Sequence, residues 1–516
     1  MPTASEPGRL QSADASARAD RYTIDVVGIP SILLMERAAL AVAHEIVERF
    51  VEIRDVVVLC GPGNNGGDGL ALARVLHGWG LGVRVHLCSA RHNDVVSEQI
   101  CLAKAVGVKI LEDHPEGLLG PSTLVVDALL GTGAKGAPRA GIESALRWLI
   151  AAKGPRVAID VPTGVHPDSG AIPGIAACVD LTVTMQRSKP GLHITPGREY
   201  SGVVVIADIG LSEEPCDGDA AEVEDVSLVS PWAVARILKD TGSQARHKGE
   251  RGHVGVLAGS PGTTGAAILA ATAALRCGAG LVTVSELEVG LGVSMISARP
   301  ELMVEPLSVG AWGSLPLPRA EVLIVGPGLT RACDRRDLAT LWREDPRPAI
   351  WDASALDELP SGKYPLAGPR IITPHPGEAR RLLGRLGDAD ERSLDLRAER
   401  RLAARALARL TGAVVVLKGA GTLIDDGVRL AIAISGGAGL ATAGSGDCLT
   451  GFIAALVAGG LAPFKAACVG VHLHGIAGEL AVAEHPGALA LDIAELAGAA
   501  RVAPPAHVRW PQVRRA

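Results

Sequence analysis

The sequence predicts an α/β protein of two domains, each a parallel sheet with helices on its faces. Three observations carry this. Apolar, β-branched runs of strand length alternate with helical patterns, the order that parallel pairing requires. The alternation occurs in two blocks, separated by an acidic stretch, Glu213–Asp225, that holds Pro and Gly and little to bury. A chain of 516 residues has room for about two to four domains of ordinary size.

In the first block, Asp55–Cys60 reads as a strand buried on both faces, because DVVVLC is apolar without alternation. Gly82–Cys88, Thr123–Ala128, Arg156–Asp160 and Val203–Asp208 read as further strands, with helical patterns such as Gly69–Gly78 and Ile142–Ala152 between them. The second block starts near Val226. Its strands are expected at His253–Ala258, Leu281–Ser285, Val322–Val325, Ala349–Asp352, Arg370–Thr373 and Ala413–Leu417. Leu394–Leu410 carries Arg and Glu through a helical pattern and reads as a solvated helix face. The apolar stretch Gly451–Phe464 is shorter than the ~20 residues a membrane span needs and reads as a buried core helix. The first twenty residues are polar and lack an apolar signal core.

Composition narrows the function classes. Charged residues are 21% and the net charge is −6, so nothing draws the chain globally to nucleic acid or to an anionic membrane. Aromatics at 3% argue against a surface for stacking single-stranded bases. Nine cysteines, an odd number with no C-x-x-C pair, suggest reduced thiols and a cytoplasmic location. Cys448 reads as a small buried filler.

The strand ends carry the chemistry. After Cys60 comes GPGNNGGDG, positions 61–69, running into a helix. Glycines let backbone N–H groups approach an anion, and the helix N-terminus adds its positive dipole end. The plain alternative is a tight turn, but five glycines, two Asn and an Asp exceed what a turn requires. It is neither G-x-G-x-x-G nor a Walker loop. Asp127-Ala-Leu-Leu-Gly131-Thr-Gly133 and Asp160-Val-Pro162-Thr163-Gly164 follow two other strands. A lone Asp there is ordinarily a cap or turn former. An oxygen-rich set, Asn65, Asp127 and Thr163, suits a hard cation.

With Leu34-Met35-Glu36-Arg37-Ala38 upstream, these motifs resemble the NAD(P)HX epimerase family over residues 14–212. The resemblance implies a Rossmann-like three-layer sandwich. It puts Asn64, Asn65, Gly66, Gly67 and Asp68, with Gly131, Thr132, Gly133, Ala134, Lys135, Gly136 and Ala137, on the hydrated nucleotide. It implies potassium on Asn65, Asp127 and Thr163, where the family's usual Ser is Thr163. Asp160 would face the nicotinamide ring, and a carboxylate there could move a proton during R/S interconversion at ring carbon 6.

The second block (226–503, after the linker 213–225) has its own set of turns. Gly444-Ser445-Gly446-Asp447 precedes the apolar helix Leu449–Leu456. It reads either as an anion-binding turn with a base beside it or as a plain Asp447 N-cap. Thr373-Pro-His375-Pro-Gly377-Glu378, Lys418-Gly-Ala-Gly-Thr422, Gly326-Pro-Gly328 and Gly265-Ala266 lie at other strand ends, which makes a pocket there the better reading. Together with His247-Lys248-Gly249, GHVGVLAGS and RPELMV, they resemble the ADP/ATP-dependent NAD(P)HX dehydratase family, on a ribokinase-like fold. That likeness carries Ala266, Gly328 and His375 onto the hydrated nucleotide. It carries Lys418, Gly419, Ala420, Gly421, Thr422 and Gly446 onto the adenine nucleotide, and Asp447 onto the substrate hydroxyl. Mg²⁺ would bridge the phosphates. The chain departs from the pattern at Ser354, Thr263 and Ala258, where the family has Asp, an aromatic and Gly.

The function implied is repair of NADHX and NADPHX. The first domain would interconvert epimers, and the second would phosphorylate the added hydroxyl with ADP or ATP so that it can leave. Likeness to single-chain bacterial forms leans to ADP. The competing readings are a small-molecule kinase, which would leave a stable phosphorylated product, and a first block that only binds. Symmetric self-assembly is compatible with the sequence. No nucleic-acid or membrane partner is expected.

Overall fold

The computed structural model describes residues 8–111, 120–134, 136–212, 225–241, 251–307, 316–329, 335–362, 365–502 and 512–515. Positions 213–224 of the expected linker, Lys135 and the His247-Lys248-Gly249 motif lie outside the described residues. The chain forms two compact units, Met1–Val226 with Trp510–Ala516, and Ser227–Arg509.

In the first unit the strands are β1 (Asp55–Cys60), β2 (Gly82–Leu87), β3 (Lys109–Leu111), β4 (Thr123–Ala128), β5 (Arg156–Ile159), β6 (Leu181–Met185) and β7 (Val203–Asp208). The second unit adds β8 (Asp225–Leu228), β9 (His253–Leu257), β10 (Leu281–Glu286), β11 (Met303–Pro306), β12 (Val322–Val325) and β13 (Ala349–Trp351). It continues with β14 (Arg370–Ile372), β15 (Val414–Leu417), β16 (Thr422–Asp425) and β17 (Arg429–Ala433), and β18 (Gln512–Arg515) returns to the first sheet.

The first sheet has the order β18-β7-β6-β5-β4-β1-β2-β3, with every pair parallel. Helices cover both faces, so β1 is fully buried from Val56 to Cys60 and needs no polar alternation. One face packs on the helices Ser31–Arg49 and Asn64–Gly78, the other on Ala140–Ala151. The second sheet runs β11-β10-β9-β12-β13-β14-β15-β16-β17-β8. Its ladders are parallel from β11 to β15 and antiparallel from β15 through β17. Two α/β units built on largely parallel sheets are the architecture expected.

Several boundaries differ from the expectation, each for a physical reason. The helix expected from Gly69 begins at Asn64, so the glycines form its first turns rather than a loop. They are there for contact: a Cβ on Gly66 would stand 2.0 Å from the Gly61 carbonyl oxygen, and one on Gly69 2.4 Å from the Ala128 Cβ. β5 stops at Ile159 because Asp160 takes φ +68°, outside the strand region. The expected helix Leu394–Leu410 begins only at Arg400, as Arg400–Thr411, and positions 394–399 before it are turn and irregular chain. Its solvated-face reading fails at Arg400, which is 5% exposed and donates to the carbonyls of Ala420, Leu417 and Lys418.

The stretch Gly451–Phe464 is likewise not one helix. Ser445–Ala458 ends at Gly459, and a second helix, Pro463–Glu484, follows. That second helix is long and apolar enough to cross a membrane by composition, but 72% of its apolar window is buried inside the unit, as a core helix would be.

The helix Ser445–Ala458 lies against Thr264–Cys277 at a small-residue contact. A Cβ on Gly451 would sit 2.3 Å from the Ala270 carbonyl oxygen and 2.8 Å from the Ala273 Cβ. Replacing a helical Gly by Ala gains ~1 kcal/mol of propensity. Overpacking against backbone costs ~1–3 kcal/mol and here outweighs the gain. Gly451→Ala is therefore expected to lower the thermal midpoint of the second unit and leave that of the first in place. Calorimetry on the full chain reads this, and an unchanged or raised midpoint would contradict it.

Candidate functional site

In the first unit, adjacent parallel strands bring their C-terminal ends to one edge. The register sets Cys60 beside Ala128 and Asp127 beside Ala158. Gly61 must be glycine, since its Cβ would lie 1.8 Å from the Leu129 carbonyl oxygen. A cavity of about 500 Å³ opens at this edge, lined by Asn64, Asn65, Asp68, Gly131, Thr132, Gly133, Ala134 and Asp160. These are residues the sequence placed on a nucleotide. Gly66, Gly67, Gly136 and Ala137 are not among its lining. Gly66 and Gly67 are buried behind it, against the Gly61 backbone and the Met35 side chain. Lys135 is outside the described residues.

Asp160 is nearly buried, and its carboxylate is fully engaged. One oxygen accepts from Lys189 Nζ at 2.7 Å, Thr184 Oγ1 at 3.3 Å and the Met185 amide at 3.4 Å; the other accepts from the Thr132 amide at 3.2 Å. Burial pushes this carboxyl up, but the Lys189 ammonium and the amide bonds outweigh it and hold the group below the usual carboxylate range. Lys189 is 1% exposed and also donates to Thr184 Oγ1 and the Met185 carbonyl. The sequence reading missed it because β6 had not been recognised. Once Leu181–Met185 is a strand, the Arg-Ser-Lys that follows is another polar strand end at the same edge.

The proposed cation ligands separate into two places. Asp127 is fully buried and accepts from the Thr163 amide at 2.8 Å, Thr163 Oγ1 at 2.7 Å and the Leu129 amide at 3.2 Å. Burial raises its carboxyl, and those bonds pull it back. Asn65 packs beside Gly131, with its Nδ2 buried and unpartnered, and no hydrogen bond joins it to Asp127 or Thr163.

In the second unit, β9, β12, β13, β14 and β15 end at a common edge. Gly326 bonds Leu257 through its amide at 3.1 Å and must be glycine, because its Cβ would meet the Asp352 carbonyl oxygen at 1.9 Å. Gly328, at φ +61°, lies against Thr263 and Ala266. Thr263, the departure from an aromatic, donates its hydroxyl to the Gly328 carbonyl at 2.6 Å. Ser354, the departure from Asp, donates to the carbonyls of Gly326 and Leu329, so it braces this turn. Lys418 Nζ lies 2.9 Å from Asp352 Oδ1 and 4.0 Å from Glu378 Oε2. A Cβ on Gly446 would stand 3.1 Å from that Nζ. Thus Lys418, Asp352, Glu378 and Gly446 come together; Asp352 and Glu378 had not been singled out as site residues.

Asp447 is not the helix N-cap. Gly444, at φ +86°, holds that position, and Asp447 falls in the first turn. Its carboxyl is pushed up to about 7, first by burial, then by Asp352, with Lys418 opposing and Glu378 adding. His375 is itself an N-cap. Its Nδ1 accepts from the Gly377 and Glu378 amides, while Glu378 Oε2 accepts from the His375 amide at 2.8 Å. Its ring stays half exposed. Gly419 and Gly421 both take positive φ, Thr422 opens β16, and the Ala420 carbonyl is held by Arg400 at 2.7 Å. Cys448 is buried, with its thiol raised by that burial, as a filler would be.

Comparison with known proteins matches both units. Residues 31–191 match the family described as YjeF-related protein N-terminus, and 254–497 match NAD(P)H-hydrate dehydratase. The bifunctional NAD(P)H-hydrate repair enzyme Nnr of Escherichia coli K12 is 34% identical over 498 residues, covering 94% of this chain and 93% of its own. That of Moorella thermoacetica is 37% identical over 508 residues, covering 92% and 91%. The ADP/ATP-dependent NAD(P)H-hydrate dehydratase of Bacillus subtilis, crystallised with ATP and Mg²⁺, is 29% identical with a TM-score of 0.44. It covers 50% of this chain and 92% of its own.

The Asp160–Lys189 pair is a test of the first cavity's energetics. Removing one partner of a buried pair leaves an uncompensated charge, at a cost of ~3–5 kcal/mol. Lys189→Met is expected to destabilise the first unit by about that much, and Lys189→Met with Asp160→Asn to recover most of it. Urea unfolding of the two variants decides; a single variant as stable as the parent would show that the pair is not held as described.

Proposed function

The chain belongs to the bifunctional NAD(P)H-hydrate repair enzymes, and from that premise we propose a division of labour between named residues. The first unit epimerises the R and S hydrates of NADH and NADPH, and the second dehydrates the S form with ADP or ATP. The observation that carries this is the pair of glycine-edged strand-end sites, one beside Asp160 and one beside Asp447.

In the first cavity Asp160 is the base that moves a proton at the hydrated ring. Its ionised state is supported by the Lys189 contact. Asn64, Asn65 and the Gly131–Ala134 turn hold the nucleotide, and Asp68 lines the same cavity. The unpartnered Asn65 Nδ2 is a donor waiting for an acceptor such as a phosphate or carboxamide oxygen. Potassium would be held by Asp127 and Thr163. These are hard oxygen donors, and Asp127 is a buried carboxylate whose hydrogen-bond partners are all neutral. When bound, the ion would neutralise Asp127 and stiffen the turn that carries Gly131.

In the second unit hydroxide is a poor leaving group, so the added hydroxyl is phosphorylated first. Asp447 accepts the hydroxyl proton as the oxygen attacks the terminal phosphate. The backbone amides of Ala443, Gly444 and Gly446 would face the developing charge, while that of Ser445 donates to the Thr442 carbonyl at 3.3 Å, and each such oxyanion donor is worth ~3–4 kcal/mol in the transition state. Lys418–Thr422 and Gly446 take the adenine nucleotide, while Ala266, Gly328 and His375 take the hydrated one. Mg²⁺ would supply charge neutralisation at the phosphates, with Asp352 and Glu378 as the oxygen donors nearest Lys418.

The decisive assay supplies mixed R and S hydrates with ADP or ATP and follows absorbance of the restored dihydronicotinamide. The parent chain is expected to convert both epimers. Asp160→Asn should stop at the S fraction, and Asp447→Ala should lose roughly 10²–10⁴-fold in dehydration. Full conversion by Asp160→Asn, or near-normal turnover by Asp447→Ala, would refute the assignment.

The raised carboxyl gives a pH dependence with a definite sign. A base must be ionised, so kcat/KM for dehydration should fall as pH drops through about 7, the value to which Asp447 is pushed. A flat profile down to pH ~5 would contradict Asp447 as the base of the free enzyme.

A further inference from the structure

The first cavity holds more acid than one base accounts for. Asp20, from the helix Ala13–Arg21, Asp68, from the helix Asn64–Gly78, and Asp160 all line it, and among the described residues Lys189 is the one cation in its lining. Lys189 Nζ is spent on Asp160 Oδ1, Thr184 Oγ1 and the Met185 carbonyl, and an ammonium has three donors. Among the described residues, no hydrogen bond reaches the Asp68 carboxyl. Burial raises that carboxyl well above the usual range, and Asp160 and Asp20 add to the rise, whereas Asp160 itself is held low. Asp20 is raised by burial and by Asp160, with Arg21 opposing, and the buried Cys60 thiol nearby is raised as well. Two carboxyls on one cavity, pushed in opposite directions by their surroundings, form an acid–base arrangement.

The ring chemistry needs such a pair, since the carbon bearing the added hydroxyl sits beside the ring nitrogen. Resting on the reading of this cavity as the epimerase site, we propose that Asp68 is its second catalytic residue, delivering a proton to the ring hydroxyl opposite the base Asp160. The proton goes to the hydroxyl oxygen, the C–O bond breaks with its electron pair, and water leaves. The nitrogen lone pair closes a C=N bond, and the ring becomes a cation facing the carboxylate that Asp68 has become. Water then adds to the other face. The C=N pair returns to nitrogen as the new C–O bond forms, and Asp160 takes the proton released. Asp68 has lost one proton and Asp160 has gained one; exchange with solvent resets both, and nothing is oxidised or reduced. Asp20 lies outside the matched stretch 31–191 and is the second like charge, after Asp160, that adds to the rise of the Asp68 carboxyl.

The test uses the full chain and the pure R hydrate of NADPH in heavy-oxygen water. Appearance of the S form is followed by chromatography and label uptake by mass spectrometry. Asp68→Asn is expected to lower kcat for epimerisation roughly 10²–10⁴-fold with KM little changed. It should also abolish the alkaline limb of the rate profile, because an acid is lost as pH rises through its own titration. Asp68→Glu should restore part of the rate, and label should enter the hydroxyl in step with epimerisation. Unchanged kcat in Asp68→Asn while Asp160→Asn is inactive would overturn this role and leave the cavity assignment standing. So would a rise in KM alone, which would make Asp68 a binding residue. Full activity in Asp160→Asn would instead sink the cavity assignment itself. Thermal midpoints and dehydration of the S hydrate with ADP report whether the variants are folded. If Asp68→Asn is not, the alkaline limb of Asp68→Glu decides, and an unmoved limb would overturn the proposal.

Discussion

Parallel pairing is the constraint on which both sites rest. When neighbouring strands run the same way, their C-terminal ends share one edge, and the helices that follow turn their N-termini toward it. Every strand end at that edge must leave the sheet through a turn with free amides and polar side chains. The register then does the collecting. Asp127 is beside Ala158, one strand from Asp160. Trp351 is beside Ile372, which brings the Asp352 and His375 turns together. Residues tens of positions apart thus become neighbours through the register of the strands that precede them.

The two units handle charge by one scheme and use it differently. Among the described residues, each holds three carboxyls and one lysine at one site: Asp160, Asp68 and Asp20 line a cavity with Lys189, and Asp447, Asp352 and Glu378 lie near Lys418. In each, the ammonium contacts one carboxylate at hydrogen-bond distance and leaves another in a desolvated, like-charged setting. In the first unit the paired carboxylate is the proposed base. Pairing weakens it as a base but fixes its position through four hydrogen bonds. In the second unit the unpaired carboxyl is the proposed base. Its rise to about 7 matches the harder task of taking a proton from a hydroxyl near neutral pH.

What could be read from the sequence follows from how each feature is encoded. Buried parallel strands are continuous apolar runs, so β1, β4, β9 and β12 were legible with their ends nearly in place. Glycine-rich turns announced the edges, but not that Asn64–Gly69 is already helix, because the need for glycine there comes from Gly61 and Ala128 across the packing interface. β6 was lost because its threonines, Thr182 and Thr184, dilute the apolar run; both prove fully buried. Lys189 was lost with it. The hairpin of β16 and β17 is hard to read although Asp426-Gly427 is a turn signal, because its strands, TLID and RLAIA, are only four and five residues long. Arg400 could not be read at all. A charged helical residue looks solvated until the carbonyls of the 417–420 turn are seen around its guanidinium.

That last case shows how fold and chemistry are partitioned at these edges. Gly61 and Gly326 admit the carbonyl of the residue just past a neighbouring strand, Leu129 and Asp352, at distances no side chain tolerates, 1.8 and 1.9 Å from an added Cβ. Any substitution there must displace backbone, so the turn and the sheet move together and stability cannot be changed apart from activity. Arg400 ties the Lys418–Thr422 turn to a helix in the same way, through carbonyls rather than side chains. Asp68 and Asp447 are different. Neither caps a helix, and each carboxyl is raised by burial and by like-charged neighbours. Burying such a group with little compensation costs stability, and proteins tolerate that cost at sites where the group does chemistry. The residues that hold these edges in place are thus the ones packed or bonded to backbone, and the residues left uncompensated beside them are the ones free to react.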